Sequence, residues 1–131
     1  MKVSNPISNN LIDMSIDSLE QLRQQLAKFA AVRDWDQFHS PKNLAMALIA
    51  EAAELVEHFQ WVSETQSYLM SREKKPAVSH ELADVLIYLI RIADKLDIDL
   101  IAAAQTKIKI NETRYPVDKV KGDARRASEY L

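Results

Sequence analysis

Two pairs of acidic residues, each set in a long apolar segment, are the residues of this sequence best suited to chemistry. Glu51 and Glu54 stand in "NLAMALIAEAAELVEHFQWV", and Glu81 and Asp84 stand in "HELADVLIYLIRIADKL". Residues three apart lie on the same face of an α-helix. If the two helices pack antiparallel, we therefore expect the two pairs to face each other across a helical bundle.

Acids placed in this way need a positively charged partner. Four carboxylates buried together without cations would repel one another at a large cost in folding free energy. The second predicted helix offers Lys42 only before its pair and the third offers Arg91 only after its pair, with no Lys or Arg at the intervening positions, so a divalent ion is the better partner. All-oxygen ligation favours Mg²⁺, or Mn²⁺, over Zn²⁺. A di-iron site is disfavoured because no Glu is followed by His three residues later.

The alternative is that these acids are ordinary surface residues. Glu and Asp three apart are common on solvated helix faces, and a single pair would favour that interpretation. Two pairs occur, however, each in an otherwise apolar run, and this makes a metal site as well supported as the surface interpretation.

Aromatic residues near the acids suit a nucleotide. Trp61 follows Glu54 by seven residues, which predicts that it lies on the same helix face, and Trp35, Phe38 and His39 occupy the connector before that helix. These side chains could stack on a base. Alternatively, both tryptophans fill the core.

Polar residues near the end of the chain suit phosphate groups. Lys107, Asn111 and Tyr115 are four apart and share one helix face, with Lys121 and Arg125 beyond them. Such a face could contact phosphate oxygens and a sugar hydroxyl, although a solvated stripe has the same pattern.

Four helices are predicted to position these residues. Asp17 and Glu20 form a capping-box pattern for a first helix that ends near Val32, and Ser40-Pro41 is a good start for a second. The second helix is predicted over 41–62 and the third over 76–96. Asp97 can cap a fourth, over 98–115, which Pro116 ends.

The pattern as a whole predicts an all-α fold, a four-helix antiparallel bundle. Residues 1–15 are expected to form a flexible arm, and 16–131 a single helical domain with a basic C-terminal tail. Ile87, Tyr88 and Ile90 of the third helix lie off its main apolar stripe, which comprises Leu82, Val85, Leu86, Leu89, Ile92, Ala93 and Leu96. Such a helix needs more cover than four short helices supply, so we expect a homodimer or a dimer of dimers.

Composition narrows the function classes. The 131 residues fit one domain, and a net charge of -2 does not favour a nucleic-acid binder. With no cysteine there is no thiolate metal site, and a single glycine, Gly122, excludes glycine-rich phosphate loops. No apolar run suits a membrane span or a secretory signal, so a cytoplasmic location without a membrane partner is expected.

Three stretches carry a resemblance to a known family: "RDWDQFHSPKNLAMALIAEAAELVEHFQW", "ELADVLIYL" and "KIKINETRYPVDKVKG". They closely resemble the MazG-like all-alpha nucleotide pyrophosphohydrolases, and within them the dCTP pyrophosphatase group, over residues 19 to 125 or so. The carboxylate pairs mark the superfamily, which includes dimeric dUTPases and phosphoribosyl-ATP pyrophosphatase. The aromatic residues, together with Asn111, Tyr115 and Pro116, narrow the resemblance to the dCTP pyrophosphatase group.

The resemblance implies a role for each group of residues. The magnesium ligands would be Glu51, Glu54, Glu81 and Asp84. The pocket for base and sugar would be lined by Trp35, His39, Trp61 and Tyr88. The triphosphate or deoxyribose would contact Lys107, Asn111 and Tyr115, with Lys121 beyond them on the phosphate-binding face. The family assembles as dimers or tetramers with sites at subunit contacts, which implies a homo-oligomer.

The implied reaction is Mg²⁺-dependent hydrolysis of a deoxynucleoside triphosphate, dCTP or a modified dCTP, to the monophosphate and pyrophosphate in nucleotide-pool housecleaning. One acid not fully committed to metal would accept a proton from water, and Glu51 or Glu54 is expected to be that base. Two alternatives remain open: a phosphoribosyl-ATP pyrophosphatase-like enzyme, and a non-catalytic helical adaptor or regulatory dimer.

Overall fold

The computed structural model describes residues 12–129, which form helices and no β-strand, so the all-α prediction is confirmed. The elements are α1 (Leu19–Ala31), α2 (Pro41–Glu57), α3 (Glu64–Ser67), α4 (Lys74–Lys95), α5 (Leu100–Arg114), α6 (Val117–Val120) and a 3₁₀ helix (Ala127–Glu129). Within this described range, no helix combines the length and apolarity that crossing a membrane requires. The cytoplasmic location stays a prediction.

The chain divides into two compact units. The first ends at Asp97 and contains α1 to α4, and the second begins at Ile98 and contains α5, α6 and the 3₁₀ helix. Most of the flexible arm predicted for residues 1–15 lies outside the described residues, which begin at Ile12. The single domain and the four-helix bundle stay predictions.

Helix α2 begins where the sequence indicates. Ser40 is its N-cap, the hydroxyl of Ser40 accepts a hydrogen bond from the backbone N–H of Asn43 at 3.1 Å, and Pro41 is the first helical residue. The cap satisfies one of the free N–H groups of the first turn, and the fixed φ of proline suits that position.

The N-caps of α1 and α5 are not the residues that the sequence predicts. Helix α1 is capped by Ser18, whose hydroxyl accepts from the backbone N–H of Gln21, and the preceding Asp17 instead donates its own N–H to the Gln21 side chain. Helix α5 is capped by Asp99 rather than Asp97. Asp97 has a φ of 54°, the left-handed conformation that follows the end of α4, whereas an N-cap requires extended backbone.

Helix α2 ends at Glu57, five residues before the predicted end at Val62. The next residues form a tight turn, with the N–H of Phe59 bonded to the carbonyl of Val56. Ser63 then starts α3 with a complete capping box to Gln66. The capping box satisfies backbone N–H groups at the start of α3, and the formation of this new helix competes with continuation of α2.

Helices α2 and α4 pack antiparallel. Near the start of α4, the Lys74 ammonium donates to the carbonyl of His58, just beyond the end of α2. Near the end of α4, Arg91 contacts His39, just before α2 begins. Leu44 and Ile90 are buried in this core. The antiparallel order brings the middle of α2, with its acids, alongside the middle of α4.

The apolar stripe predicted for α4 is buried only in part, since its Ala93 is buried and its Val85 and Ile92 are half-buried. The chain buries Val78, Ile90, Arg91 and Ala93. Leu82, Leu86 and Leu89 are exposed instead. Apolar periodicity identifies positions that favour burial but does not identify which neighbour covers them.

Candidate active site

Three of the four predicted metal ligands converge between α2 and α4. Glu51 lies on α2, and Glu81 and Asp84 lie on α4. One carboxylate oxygen from each of the three lies within 4.8 Å of the others. All three residues are half-buried, whereas Glu54 is exposed and stands outside this group of oxygens. We call Glu51, Glu81 and Asp84 the carboxylate cluster.

Burial and mutual repulsion favour the protonated forms of two of these acids. Burial raises the pKa of Glu51 above its usual range, and the negative charges of Glu54 and Asp84 raise it further. Burial likewise raises the pKa of Glu81, the Glu54 carboxyl group adds to the effect, and His58 opposes it. The charged cluster is therefore unfavourable unless a cation is present.

The cluster fits a divalent cation. Among the described residues, no ion pair involves Glu51, Glu54, Glu81 or Asp84. In addition, Oε2 of Glu81 is buried and has no hydrogen-bond partner. Buried polar atoms are normally satisfied, and clustered carboxylate oxygens are the ligands that hard cations such as Mg²⁺ take. The donor set is therefore that of a hard-cation site.

A cavity of about 330 Å³ adjoins the cluster and shares Asp84 with it. Helix α1 provides an apolar wall that includes Leu22, Leu26 and Phe29. Trp35, His39 and Tyr88, three of the predicted base-pocket residues, line the same cavity. An apolar, aromatic cavity of this size is at the lower end of the range for small-molecule sites. The structure thus places a carboxylate cluster at the edge of an aromatic cavity.

The connector between α1 and α2 presents Trp35 and His39 to the cavity. The Trp35 ring meets Phe29 of α1 edge-on, with the ring centroids 5.7 Å apart, and lies 6.1 Å from the His39 ring. The backbone N–H groups of Phe38 and His39 both donate to the carbonyl of Trp35. This compact turn explains how two residues of a loop can have defined positions beside α1 and α4.

Arg91 is a cavity residue that the sequence interpretation did not assign. It is only 3% exposed and forms ion pairs with Asp36 at 2.9 Å and Asp94 at 3.2 Å. The sequence does indicate that Arg91 has an anionic partner, because a cation inside the apolar run "LIRIA" must be paired if it is buried. Its partner in the connector, Asp36, could not be identified from spacing along one helix.

The other predicted substrate residues lie elsewhere. Trp61 is in the turn after α2, is 88% exposed and does not line the cavity. Lys107 and Asn111 on α5, Tyr115 at its end and Lys121 after α6 belong to the second unit. Their roles in substrate binding, like that of Trp61, stay predictions.

Comparison with known proteins identifies relatives. A model of the MazG-like family matches residues 46–129. The chain is 44% identical to dCTP pyrophosphatase 1 of Mus musculus over 109 residues, which are 82% of this chain but only 64% of the mouse protein. It is 41% identical to dCTP pyrophosphatase 1 of Homo sapiens over 114 residues, 86% of this chain and 67% of the human protein.

A solved structure has a similar fold. A crystal structure of a pyrophosphatase from Archaeoglobus fulgidus matches with a TM-score of 0.72 and 38% sequence identity. The match covers 81% of this chain and 99% of that one. The similarity therefore extends over most of the helical chain.

Replacing Glu81 with Gln should separate cation binding from folding. Without a divalent cation, Glu81→Gln should melt no lower than the wild type, because it removes a charge that burial and neighbouring acids disfavour. With Mg²⁺ at about 100 times its Kd, the wild type should gain about 2.7 kcal/mol, and the variant should lose most of that gain. Thermal melts in EDTA and in Mg²⁺ measure both effects.

Glu57→Gln is the matched control, since Glu57 is an exposed acid on α2 outside the cluster. It should retain the full gain in Mg²⁺. An equal Mg²⁺ response in Glu81→Gln and the wild type would contradict the metal-site interpretation.

Proposed function

The chain belongs to the MazG-like family, and we propose that it is a Mg²⁺-dependent pyrophosphohydrolase that cleaves a deoxynucleoside triphosphate to the monophosphate and pyrophosphate. The observation that carries the proposal is the carboxylate cluster beside an aromatic cavity, with Asp84 common to both. The mammalian relatives are named for hydrolysis of dCTP, which makes dCTP or a modified dCTP the proposed substrate. Such an enzyme would serve nucleotide-pool housecleaning.

The cluster residues, Glu51, Glu81 and Asp84, would hold the cation, with Glu54 as the fourth acid next to them. A bound divalent cation supplies charge neutralisation on the triphosphate and makes water more acidic. Mg²⁺ is preferred to Mn²⁺ in this proposal only as the more usual partner of triphosphates.

Glu54 is the better of the two predicted bases. Glu51 contributes an oxygen to the cluster, whereas Glu54 lies outside it and is exposed. The Glu54 carboxyl group interacts with Glu51 and Glu81 but is the acid least committed to a cation, so it would accept a proton from the attacking water. Hydrolysis adds the oxygen of that water to the α-phosphate of the nucleotide. The bond between the α-phosphorus and the oxygen that bridges to the β-phosphate breaks, so pyrophosphate leaves.

The cavity would hold the base and sugar. Trp35 and Tyr88 present aromatic surface, which stacks on any base, and His39 adds a polar edge. The apolar wall from α1 excludes water from one side of the bound base. Since Asp84 joins the cavity to the cluster, a nucleotide whose base occupies the cavity has its phosphates near the acids.

We propose, in addition, that the working protein is a dimer or a dimer of dimers. On α2, Met46, Ile49 and Val56 are exposed and share one face. On α4, exposed Leu82, Leu86 and Leu89 form a second stripe. Contiguous exposed apolar surface of this kind marks protein interfaces, and a second copy of the chain is the proposed partner.

A panel of nucleotides tests the reaction. We expect pyrophosphate release from dCTP or a modified dCTP in Mg²⁺, faster than from the other natural triphosphates and abolished by EDTA. Phosphoribosyl-ATP in the same panel tests the alternative family activity. The proposal is wrong if no triphosphate releases pyrophosphate at any Mg²⁺ concentration.

Glu54→Gln tests the assignment of the base. We expect kcat to fall by about 10²- to 10⁴-fold, the usual contribution of a general base, while circular dichroism and the melting temperature show an intact fold. Glu57→Gln, one turn further along α2, should keep wild-type kcat. A Glu54→Gln enzyme with full activity would refute the role of Glu54.

Sedimentation equilibrium tests the assembly. We expect the wild type to have at least twice the mass of one chain, and Ile49→Glu to shift it towards the monomer because a charge is placed in the exposed apolar face. Gln60→Glu adds the same charge at an exposed polar position and should leave the mass unchanged. A monomeric wild type at micromolar concentration would contradict the proposal.

A further inference from the structure

Arg91 contacts the side chain of His39 in addition to its ion pairs with Asp36 and Asp94. Nδ1 of His39 lies 3.3 Å from one terminal nitrogen of the Arg91 guanidinium and 3.4 Å from its Nε. Both side chains line the cavity, and Arg91 is buried. His39 therefore meets a fixed cation on the Nδ1 side of its ring.

The chemistry of the two groups determines the form of the imidazole. A guanidinium has N–H donors and no acceptor, so Nδ1 must accept the hydrogen bond. The only hydrogen on a ring nitrogen of His39 is then on Nε2, and the ring is neutral. Burial lowers the pKa of His39, and the positive charge of Arg91 lowers it further, which agrees with a neutral ring.

The Nε2–H group of His39 remains available to a ligand. Among the described residues, no hydrogen bond uses Nε2 of His39. The ring lines the same cavity as Trp35 and Tyr88. A bound base could therefore receive a hydrogen bond from His39 at a carbonyl oxygen or an unprotonated ring nitrogen.

We propose that Arg91 is a positioning residue, which confines His39 to the neutral tautomer that carries its hydrogen on Nε2 and donates it to an acceptor atom of the nucleotide base. The proposal rests on the proposed function for the identity of the ligand. The tautomer itself is a property of the free protein, so it can be measured whether or not the protein hydrolyses a nucleotide.

Arg91 can be replaced without stranding its anions. Asp36 also accepts from the Lys95 ammonium at 2.7 Å, and Asp94 is also bound by Arg23 at 2.9 Å. Each carboxylate thus keeps one cation when Arg91 is removed. Arg91→Met, which retains much of the apolar length, should therefore fold.

Nitrogen NMR on the ligand-free protein tests the tautomer directly. With ¹⁵N-labelled histidine, the two ring nitrogens of His39 should show one that carries hydrogen, Nε2, and one that does not, Nδ1. His39→Gln assigns the signals by their loss. In Arg91→Met we expect mixed tautomers and a larger charged fraction at neutral pH. A wild-type His39 that is charged, or that carries its hydrogen on Nδ1, overturns the proposal.

A double-mutant cycle on dCTP hydrolysis tests the function of that tautomer. Arg91→Met should raise KM about five- to tenfold, the worth of about one hydrogen bond, and change kcat little. In a His39→Gln background, Arg91→Met should have almost no further effect, because the Gln amide offers its own N–H without a tautomer to be selected. An equal rise of KM in both backgrounds would show a merely structural role and overturn the proposal.

Asp94→Asn is the matched control. It weakens the same ion-pair network but leaves the contact between Arg91 and His39 in place. We expect a lower melting temperature with an unchanged His39 tautomer and an unchanged KM. If Asp94→Asn raises KM as much as Arg91→Met does, general loosening explains the effect and the proposal fails.

Discussion

Repulsion among carboxylates held between α2 and α4 is the constraint on which the site depends. Burial of Leu44, Ile90 and other apolar residues fixes the two helices against each other, and this fixes the acids as well. Glu51 on α2 therefore lies beside Glu81 and Asp84 on α4 as long as the two helices remain packed. Packing energy thus maintains an arrangement that electrostatics opposes, and a bound cation would reverse the sign of the electrostatic contribution.

The charges between α2 and α4 have different partners near the end of α4 and near its middle. Towards the end of α4, Arg91 has carboxylate partners on both sides and a histidine nitrogen as well. Towards the middle, the cluster has no cation among the described residues. A fully paired region gives rigid support, whereas an unpaired one is able to bind. The cavity lies between them, with Arg91 and Asp84 both in its lining.

Local signals in the sequence predicted the start of α2 better than its end. Ser40 followed by Pro41 marked the start of α2 correctly, because a cap and its first turn lie within four residues of each other. The end of α2 was predicted too late, since the residues after Glu57 are still good helix formers and a second cap at Ser63 decides the outcome. The placement of Trp61 on a helix failed for the same reason.

The sequence by itself determined the all-α fold, the long helices and the pairing of acids on their faces, because each depends on spacing within one segment. Only the tertiary structure decided which acid stands apart from the cluster, and that Arg91 holds the connector through Asp36 and His39. The contacts of Arg91 join residues more than 50 positions apart in the chain, and the cluster joins residues of two different helices. The antiparallel packing of α2 and α4 brings such residues together, and no periodicity along one helix encodes it.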